Sequence, residues 1–241
     1  MKSFKQNGML SIIIPFFNEE NELNSVIEDI NKFEEKNSRL ILEYLFINDA
    51  SNDDSINILK KLVLLLKKKI KKKIKIIHNS KNIGYCKAVI KGYNLAKAKY
   101  LLVIPGDGEA KLCQFIARVK FNKDIIVIQR SSMANRPSYR KLISWIYKYF
   151  ISFLFSVKLI DFNGLIIIKR EKIKLLSISS ESYFISAETI IKSFKLGLNI
   201  GYKNYFKLFP KNKYKSSSLS LQQFIKVTKD IFITLKFVRL I

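Results

Sequence analysis

The sequence predicts an α/β fold: a mostly parallel central sheet with helices on both faces. Short β-branched runs alternate with longer stretches of helical period through the first half of the chain. Polar motifs follow three of those runs, at 15–19, 48–54 and 105–109, where sheets of this kind gather ligands. With 241 residues, 48% of them hydrophobic, the chain is long enough for one compact domain with a sizeable core.

The elements follow in order. SIIIP (11–15) reads as a buried strand, and 20–36 as a helix with Leu23, Val26, Ile27 and Ile30 at helical spacing. EYLFIND (43–49) is the second strand. Ser51 or Asn52 then caps a helix near 53–66, with acidic residues in its first turn. KIKIIHN (73–79) is the third strand, 84–98 the third helix and KYLLVIP (99–105) the fourth strand. A helix near 111–121 precedes DIIVIQR (124–130). The second half is less regular: an amphipathic helix over 139–157, a turn into a strand over 159–171, and helix, Gly197 and strand over 186–200. A loop over 203–218 leads to a basic, apolar terminal helix over 221–238.

Lys and Arg total 44 against 19 Asp and Glu, a formal charge of +25. That balance favours a polyanionic partner, whether nucleic acid, a phosphorylated ligand or an anionic membrane surface. A composition biased toward Lys, Ile and Asn produces the same sum without a ligand. The lysine run at 67–76 reads as solvated loop and strand start, with a phosphate-facing patch as the alternative. Cys86 and Cys113 have no metal-binding spacing, so free thiols in a reducing compartment are expected. His78 is the only histidine, which excludes histidine clusters and argues against a His-dependent triad. No signal-like segment opens the chain, and no stretch reaches the eighteen or so uninterrupted apolar residues of a membrane span. The stretch at 145–160 comes nearest, interrupted by Lys148 and Lys158. A cytoplasmic location is expected, with contact at the inner face of the membrane left open.

Five polar features carry chemistry. In PGDGE (105–109), Gly106 and Gly108 allow tight turns around Asp107. In a locally extended segment Asp107 and Glu109 face the same way, as a pair of hard oxygen ligands for Mg²⁺ or Mn²⁺. Solvent-facing acids on a turn are the simpler alternative. No Walker loop and no G-x-G-x-x-G occurs, so P-loop and dinucleotide readings lack their anchors. In PFFNEE (15–20), Asn18 and Glu19 accept from ribose or base, or Asn18 caps the next helix. Beyond the second strand, Asp49 accepts from a nucleobase imino group or serves a structural role. Arg130 follows a strand, and Arg136 and Arg140 flank a helix start, where forked donors suit phosphate as well as a solvated face. Glu188 is left with three roles: catalytic base, acceptor orientation, or pairing with a basic neighbour.

These residues resemble the family 2 nucleotide-sugar glycosyltransferases of GT-A fold, a Rossmann-related αβα sandwich. The family's V-I-P-x-Y-N-E falls on Pro15 through Glu19, with Phe17 for Tyr. Its D-D-G-S-x-D falls on Asn48, Asp49, Ala50, Ser51 and Asp53, so the first acid and the glycine differ. N-x-G-K-G-x-A falls on Asn82, Gly84, Tyr85 and Ala88, and the D-x-D metal motif on Asp107, Gly108 and Glu109. The likeness covers roughly 10–218 and is most specific in its first half. Within the family the pattern is nearest to the polyprenyl-phosphate sugar transferases, including dolichyl-phosphate mannose synthases. Their G-S-R and later Arg and Ser resemble Arg130 with Ser131 and Arg140 with Ser144; Gln129 stands where the glycine would. Their acid and glycine resemble Asp161 and Gly164, their helix glutamate Glu188, and their P-R-x-x-G-x-S Pro210, Lys211 and Ser216 or Ser217.

The resemblance implies a catalytic domain over 1–218, with a donor half of about 10–109 and an acceptor half of about 110–218, followed by a basic amphipathic helix at 219–241. It implies that Pro15, Glu19, Asp49 and Asp107 hold a UDP- or GDP-linked sugar, and that Asp107 and Glu109 engage Mg²⁺ or Mn²⁺ at its diphosphate. Asp107 and Glu188 are then catalytic, and Arg130, Arg140 and Lys211 place an acceptor phosphate. Transfer inverts the anomeric centre. The acceptor is polyprenyl phosphate, or else a cell-surface glycan or lipid-linked saccharide. Nucleotidyl transfer lacks an early glycine-rich loop. A nucleic-acid-binding module explains the charge but not the acids at successive strand ends, and no nucleic acid is expected.

Overall fold

The structure, a computed structural model, describes residues 8–37, 39–114, 116, 119–130, 138–158, 161–205 and 221–241. The first elements are β1 (Leu10–Phe16), α1 (Leu23–Asn37), β2 (Ile41–Asn48), α2 (Ser55–Lys69), β3 (Lys73–His78), α3 (Tyr85–Leu95) and β4 (Tyr100–Val103). They are followed by β5 (Ile125–Arg130), α4 (Ser138–Phe155), β6 (Leu165–Lys169), α5 (Arg170–Leu176), α6 (Ile185–Lys195), β7 (Ile200–Tyr205) and α7 (Leu221–Arg239). The strands form one seven-stranded sheet in the order β3-β2-β1-β4-β6-β5-β7. The pairs β1–β2, β2–β3, β1–β4 and β5–β7 are parallel, and β4–β6 is antiparallel.

Two compact units divide the chain: Met1–Val119 with Ile167–Glu171, and Lys120–Ile166 with Lys172–Ile241. In the first, every residue of β1 and all of β2 except Leu42 are buried. Such near-continuous apolar runs suit parallel strands covered on both faces. α1 turns Leu23, Val26, Ile27, Ile30 and Phe33 inward at the spacing its sequence shows. The lysine run is mostly solvated. Lys67, Lys68 and Lys69 form the last turn of α2, where cations complement the helix dipole, and Lys73 and Lys75 belong to the edge strand β3.

Three expectations are corrected. The helix near 111–121 is, among its described residues, 3₁₀ in character at Leu112–Gln114 and at Ile116, with no α-helical residue. There the α1 carboxylate of Asp29 takes the Leu112 N–H at 2.5 Å and the Cys113 thiol at 3.0 Å, while the Lys111 ammonium reaches Ser25 O at 3.3 Å. These bonds tie the 111–113 segment to α1. Second, α2 starts at Ser55, so its N-cap position is Asp54 and neither Ser51 nor Asn52; Asp54 makes no side-chain cap bond, its Oδ1 accepting from Asn57 Nδ2 at 2.8 Å. Third, a short helix, α5, follows β6 directly at Arg170, whose N–H bonds Lys99 O at 2.9 Å.

In the second unit, α7 is more than an outer helix. Asp230 and Thr234 are buried on it, and the Asp230 carboxylate accepts the Glu181 N–H at 3.1 Å, the Ser182 N–H at 2.9 Å and the Ser182 hydroxyl at 2.5 Å.

Candidate active site

The parallel pairing of β1, β2, β3 and β4 brings their carboxyl ends to one edge of the first unit. Phe16 lies beside Asn48, Asn48 beside His78, and Ile13 beside Val103. The polar residues that follow each strand therefore meet there.

The loops after β1 and β2 are stitched together. Asn18 N–H donates to Ser51 Oγ at 3.0 Å, Asn52 N–H to Asn18 Oδ1 at 2.9 Å and Glu19 N–H to Ser55 Oγ at 2.8 Å. Glu20 N–H bonds Asp53 Oδ2 at 3.3 Å, and Asp54 N–H bonds Glu20 Oε2 at 3.0 Å. Asn18 and Ala50 sit in the left-handed region, at φ 54° and 60°, which lets the two loops face each other. Thus Asn18, Ser51, Asp53 and Ser55 hold one loop against the other, with Glu19 between them.

Asn48, where the family pattern has its first acid, accepts the Ser51 N–H and hydroxyl on Oδ1 at 3.0 and 2.7 Å. Its amide nitrogen therefore faces His78 Nδ1 at 3.1 Å. Since Asn48 donates there, Nδ1 accepts and the imidazole proton sits on Nε2.

Asp49 is 3% exposed, and its carboxylate is well supplied with donors. Oδ1 accepts from Asn79 Nδ2 and Ile83 N–H at 2.9 Å, and Oδ2 from Gly84 N–H at 2.8 Å. Its charge lies at the start of α3, where it offsets the positive end of the helix dipole. Lys91 of α3 completes this corner by donating to Asn79 Oδ1 at 2.6 Å. Asp49→Ala is expected to lower unfolding stability by about 2 kcal/mol, because it takes the acceptor from the buried Asn79 amide and the part-buried Ile83 N–H, while Gly84 N–H keeps Asn82 Oδ1 at 3.1 Å. A chemical-denaturation midpoint unchanged from the parent would refute that assignment.

The PGDGE segment is a turn, not the extended stretch the alternation suggests. Gly106 N–H bonds Pro15 O at 2.9 Å, and Asp107 Oδ1 accepts the Glu109 N–H at 3.1 Å. Gly106 fits because β1 passes so close: a Cβ there would lie 2.7 Å from Phe16 Cβ. Gly108 has φ +70°, which closes the turn. Asp107 and Glu109 are both half-buried at this strand end. Among the described residues no group of three His, Cys, Asp or Glu side chains is placed to hold a metal ion. A two-carboxylate station still fits Mg²⁺ or Mn²⁺, which retain waters and bind through one or two carboxylates plus substrate phosphates.

Of the residues assigned to the acceptor, Glu188 is described in full. It is completely buried in the first turn of α6. It pairs with Lys192 at 2.6 Å and accepts the Ser179 N–H and hydroxyl at 2.9 Å and the Ser180 N–H at 2.9 Å. Burial pushes its carboxyl up, but the bonds from Lys192 and Ser180, the Lys192 charge and the Ser179 N–H outweigh that and hold it below the usual carboxylate value. Lys192 also donates to Ser177 O at 2.8 Å and stands 4.2 Å from the Phe237 ring centre. Of the three roles open in the sequence, pairing with a basic neighbour is the one seen in these contacts. Arg130 ends β5 and Arg140 lies in α4; their side chains, Ser131 and Lys211 lie outside the described residues.

Residues 11–174 match the description Glycosyl transferase family 2. The chain belongs to that family. As a family 2 member it is 30% identical over 162 residues to CsbB of Bacillus subtilis (strain 168), a candidate glycosyltransferase, covering 66% of this chain and 47% of CsbB. It is 27% identical over 113 residues to a dolichyl-phosphate beta-glucosyltransferase of Dictyostelium discoideum, covering 45% of this chain and 34% of that one. The chain thus spans less than half the length of these curated relatives. Among solved structures, it is similar to glucosyl-3-phosphoglycerate synthase of Mycobacterium tuberculosis, solved with Mn²⁺, UDP and phosphoglyceric acid. The TM-score is 0.67 at 15% identity, covering 97% of this chain and 79% of that one. That likeness establishes the GT-A fold of this family 2 chain, a mostly parallel seven-stranded sheet flanked by helices. The same synthase has also been solved with Mg²⁺ and UDP.

Sequence reasoning missed Asn79, Lys91 and the role of His78 in this family 2 site. A polar His78-Asn79 pair directly after the third strand was the available signal. Lys91 carried none, since it reaches the site only through the docking of α3.

Proposed function

We propose that this chain transfers a sugar from a nucleoside diphosphate sugar to polyprenyl phosphate, with inversion at the anomeric carbon. The observation that carries the proposal is the meeting, on one edge of four parallel strands, of the Asn18–Ser51 loop pair, the Asp49-braced start of α3 and the Asp107–Glu109 turn. Glu19 faces the nucleoside beside Pro15, and Asp49 shapes the nucleoside pocket through the 79–84 segment it braces. Asp107 and Glu109 stand at the diphosphate and would hold Mg²⁺ or Mn²⁺. When bound, such an ion stabilises the charge that grows on the departing nucleoside diphosphate. In the displacement, an acceptor oxygen bonds to the anomeric carbon as the bond to the diphosphate oxygen breaks.

The state of Glu188 favours an acceptor that is already ionised. A carboxylate held below its ordinary pKa, and engaged by Lys192, Ser179 and Ser180, is a weak proton acceptor for a sugar hydroxyl. A polyprenyl phosphate oxygen is anionic near neutral pH and needs only placement, for which Arg130, Arg140 and Lys211 are proposed. The dolichyl-phosphate beta-glucosyltransferase among the relatives supports a lipid phosphate acceptor. In this reading the lipid headgroup is met at the surface of an anionic bilayer, at its cytoplasmic face; among the described residues no helix is long and apolar enough to cross a membrane.

The test is a donor screen. UDP or GDP with Mn²⁺ or Mg²⁺ is expected to protect the first unit from proteolysis, and the matching nucleotide sugar to glycosylate a polyprenyl phosphate. Protection by neither nucleotide with either metal ion would overturn the transferase proposal. Product formed only on glycan hydroxyls would keep the transferase and overturn its lipid acceptor.

A further inference from the structure

Helix α4 is amphipathic in the opposite sense from a helix that packs on a core. Among its described side chains only Ile151 and Phe155 are fully buried. Leu142, Trp145, Ile146, Tyr149, Phe150 and Phe153 are all exposed, Trp145 at 55% and Phe153 at 87%. At about 100° per residue, these six fall within an arc of about 140° on one side of the helix. A soluble surface rarely leaves so continuous an apolar patch uncovered.

The charge of the surrounding sequence selects its occupant. Between Asp124 and Asp161 the sequence carries no acid, while it carries Arg130, Arg136, Arg140, Lys141, Lys148 and Lys158. Lys141 and Lys148 flank the arc at one border, by the same helical count. A second copy of this chain would bring another formal charge of +25 to the seam. Nucleic acid would meet the cations but leave six apolar side chains in water. An anionic bilayer surface suits both, since the apolar arc enters the acyl boundary, Trp and Tyr settle at headgroup depth and lysines meet the lipid phosphates.

We propose that the Leu142–Phe153 face of α4 docks this protein flat on an anionic bilayer surface, with the helix lying in the interface and not crossing it. This deepens the membrane contact proposed above by assigning it to one helix face, and it rests on that reading only for its purpose. Vesicle binding measured without nucleotide sugar or acceptor stands or falls independently of sugar transfer.

Trp145 is the only tryptophan in the chain, so it reports on this face directly. Adding phosphatidylcholine vesicles that contain phosphatidylglycerol is expected to shift its emission to the blue and to allow quenching by brominated acyl chains. The effect weakens as salt rises. Ile146→Glu with Phe153→Glu, both at exposed positions, is expected to lower co-sedimentation with these vesicles by about tenfold or more and to abolish the quenching. The proposal is overturned if no shift appears, if neutral vesicles act equally well, or if the double variant binds as the parent does. It is also overturned if sedimentation shows a dimer without vesicles that buries Trp145 and dissociates in the double variant.

Discussion

Asp107→Ala is expected to lower sugar-transfer turnover by about 10³-fold, on the order of 4 kcal/mol at the transition state. In the proposed mechanism the loss falls on chemistry, because Asp107 would stand at the diphosphate and serve the charge that appears as the leaving group departs. Nucleotide affinity falls less, since the loops after β1 and β2 brace each other through bonds that Asp107 does not make. Folding is little affected. The turn stays anchored by Gly106 N–H on Pro15 O, and the segment beyond it by Leu112 N–H on Asp29. A thermal melt within a few degrees of the parent together with lost turnover is the expected pair of readings. Glu109→Asp is the matched control: it keeps a hard ligand with a shorter reach and retains part of the activity. Undiminished turnover in Asp107→Ala would remove this residue from the diphosphate station.

Glu188→Gln is expected to act mainly on stability, by about 3 kcal/mol or more, because it leaves the Lys192 ammonium buried without its counter-charge. It also turns an amide N–H₂ toward donors at Ser179 and Ser180. Combining it with Lys192→Met restores much of the loss, since the unpaired charge goes too. The pH dependence has a definite sign. The folded carboxyl titrates below its ordinary value of 4.5. Its contribution to stability is therefore complete above the unfolded pKa and is lost as pH falls through the lower folded one. Denaturant melts at neutral and acid pH are expected to converge for parent and variant as pH drops. A variant as stable as the parent but without turnover would instead make Glu188 a catalytic base.

The chain's own pattern foretold the first unit closely. Apolar β-branched runs and helical spacing are local burial signals, and the strands expected at 11–15, 43–49, 73–79 and 99–105 appear as β1 through β4 with ends shifted by a residue or two. Acids and amides beyond those strand ends were equally legible, because a polar residue after a buried run has few places to go except the sheet edge. Where local pattern failed, a partner distant in sequence had intervened. Asp29 ties the Leu112 N–H and the Cys113 thiol to α1, and Ser51 Oγ takes the Asn18 N–H, pairings that no pattern along the chain displays.

By itself, then, the sequence determined the α/β class, the order of the elements along the chain, and the residue types that follow the strands of the first unit. Tertiary structure decided what each carboxylate faces. Asp49 meets the N–H groups of Ile83 and Gly84, Glu188 meets Lys192 and the backbone at 179–180, and Asp230 meets the backbone at 181–182. It also decided that α4 turns its aromatic side outward. Burial tendency is a property of each residue and its near neighbours, so it can be read along the chain. Hydrogen-bond partnership and the choice of buried face depend on which distant segments arrive, and only the folded backbone brings those together.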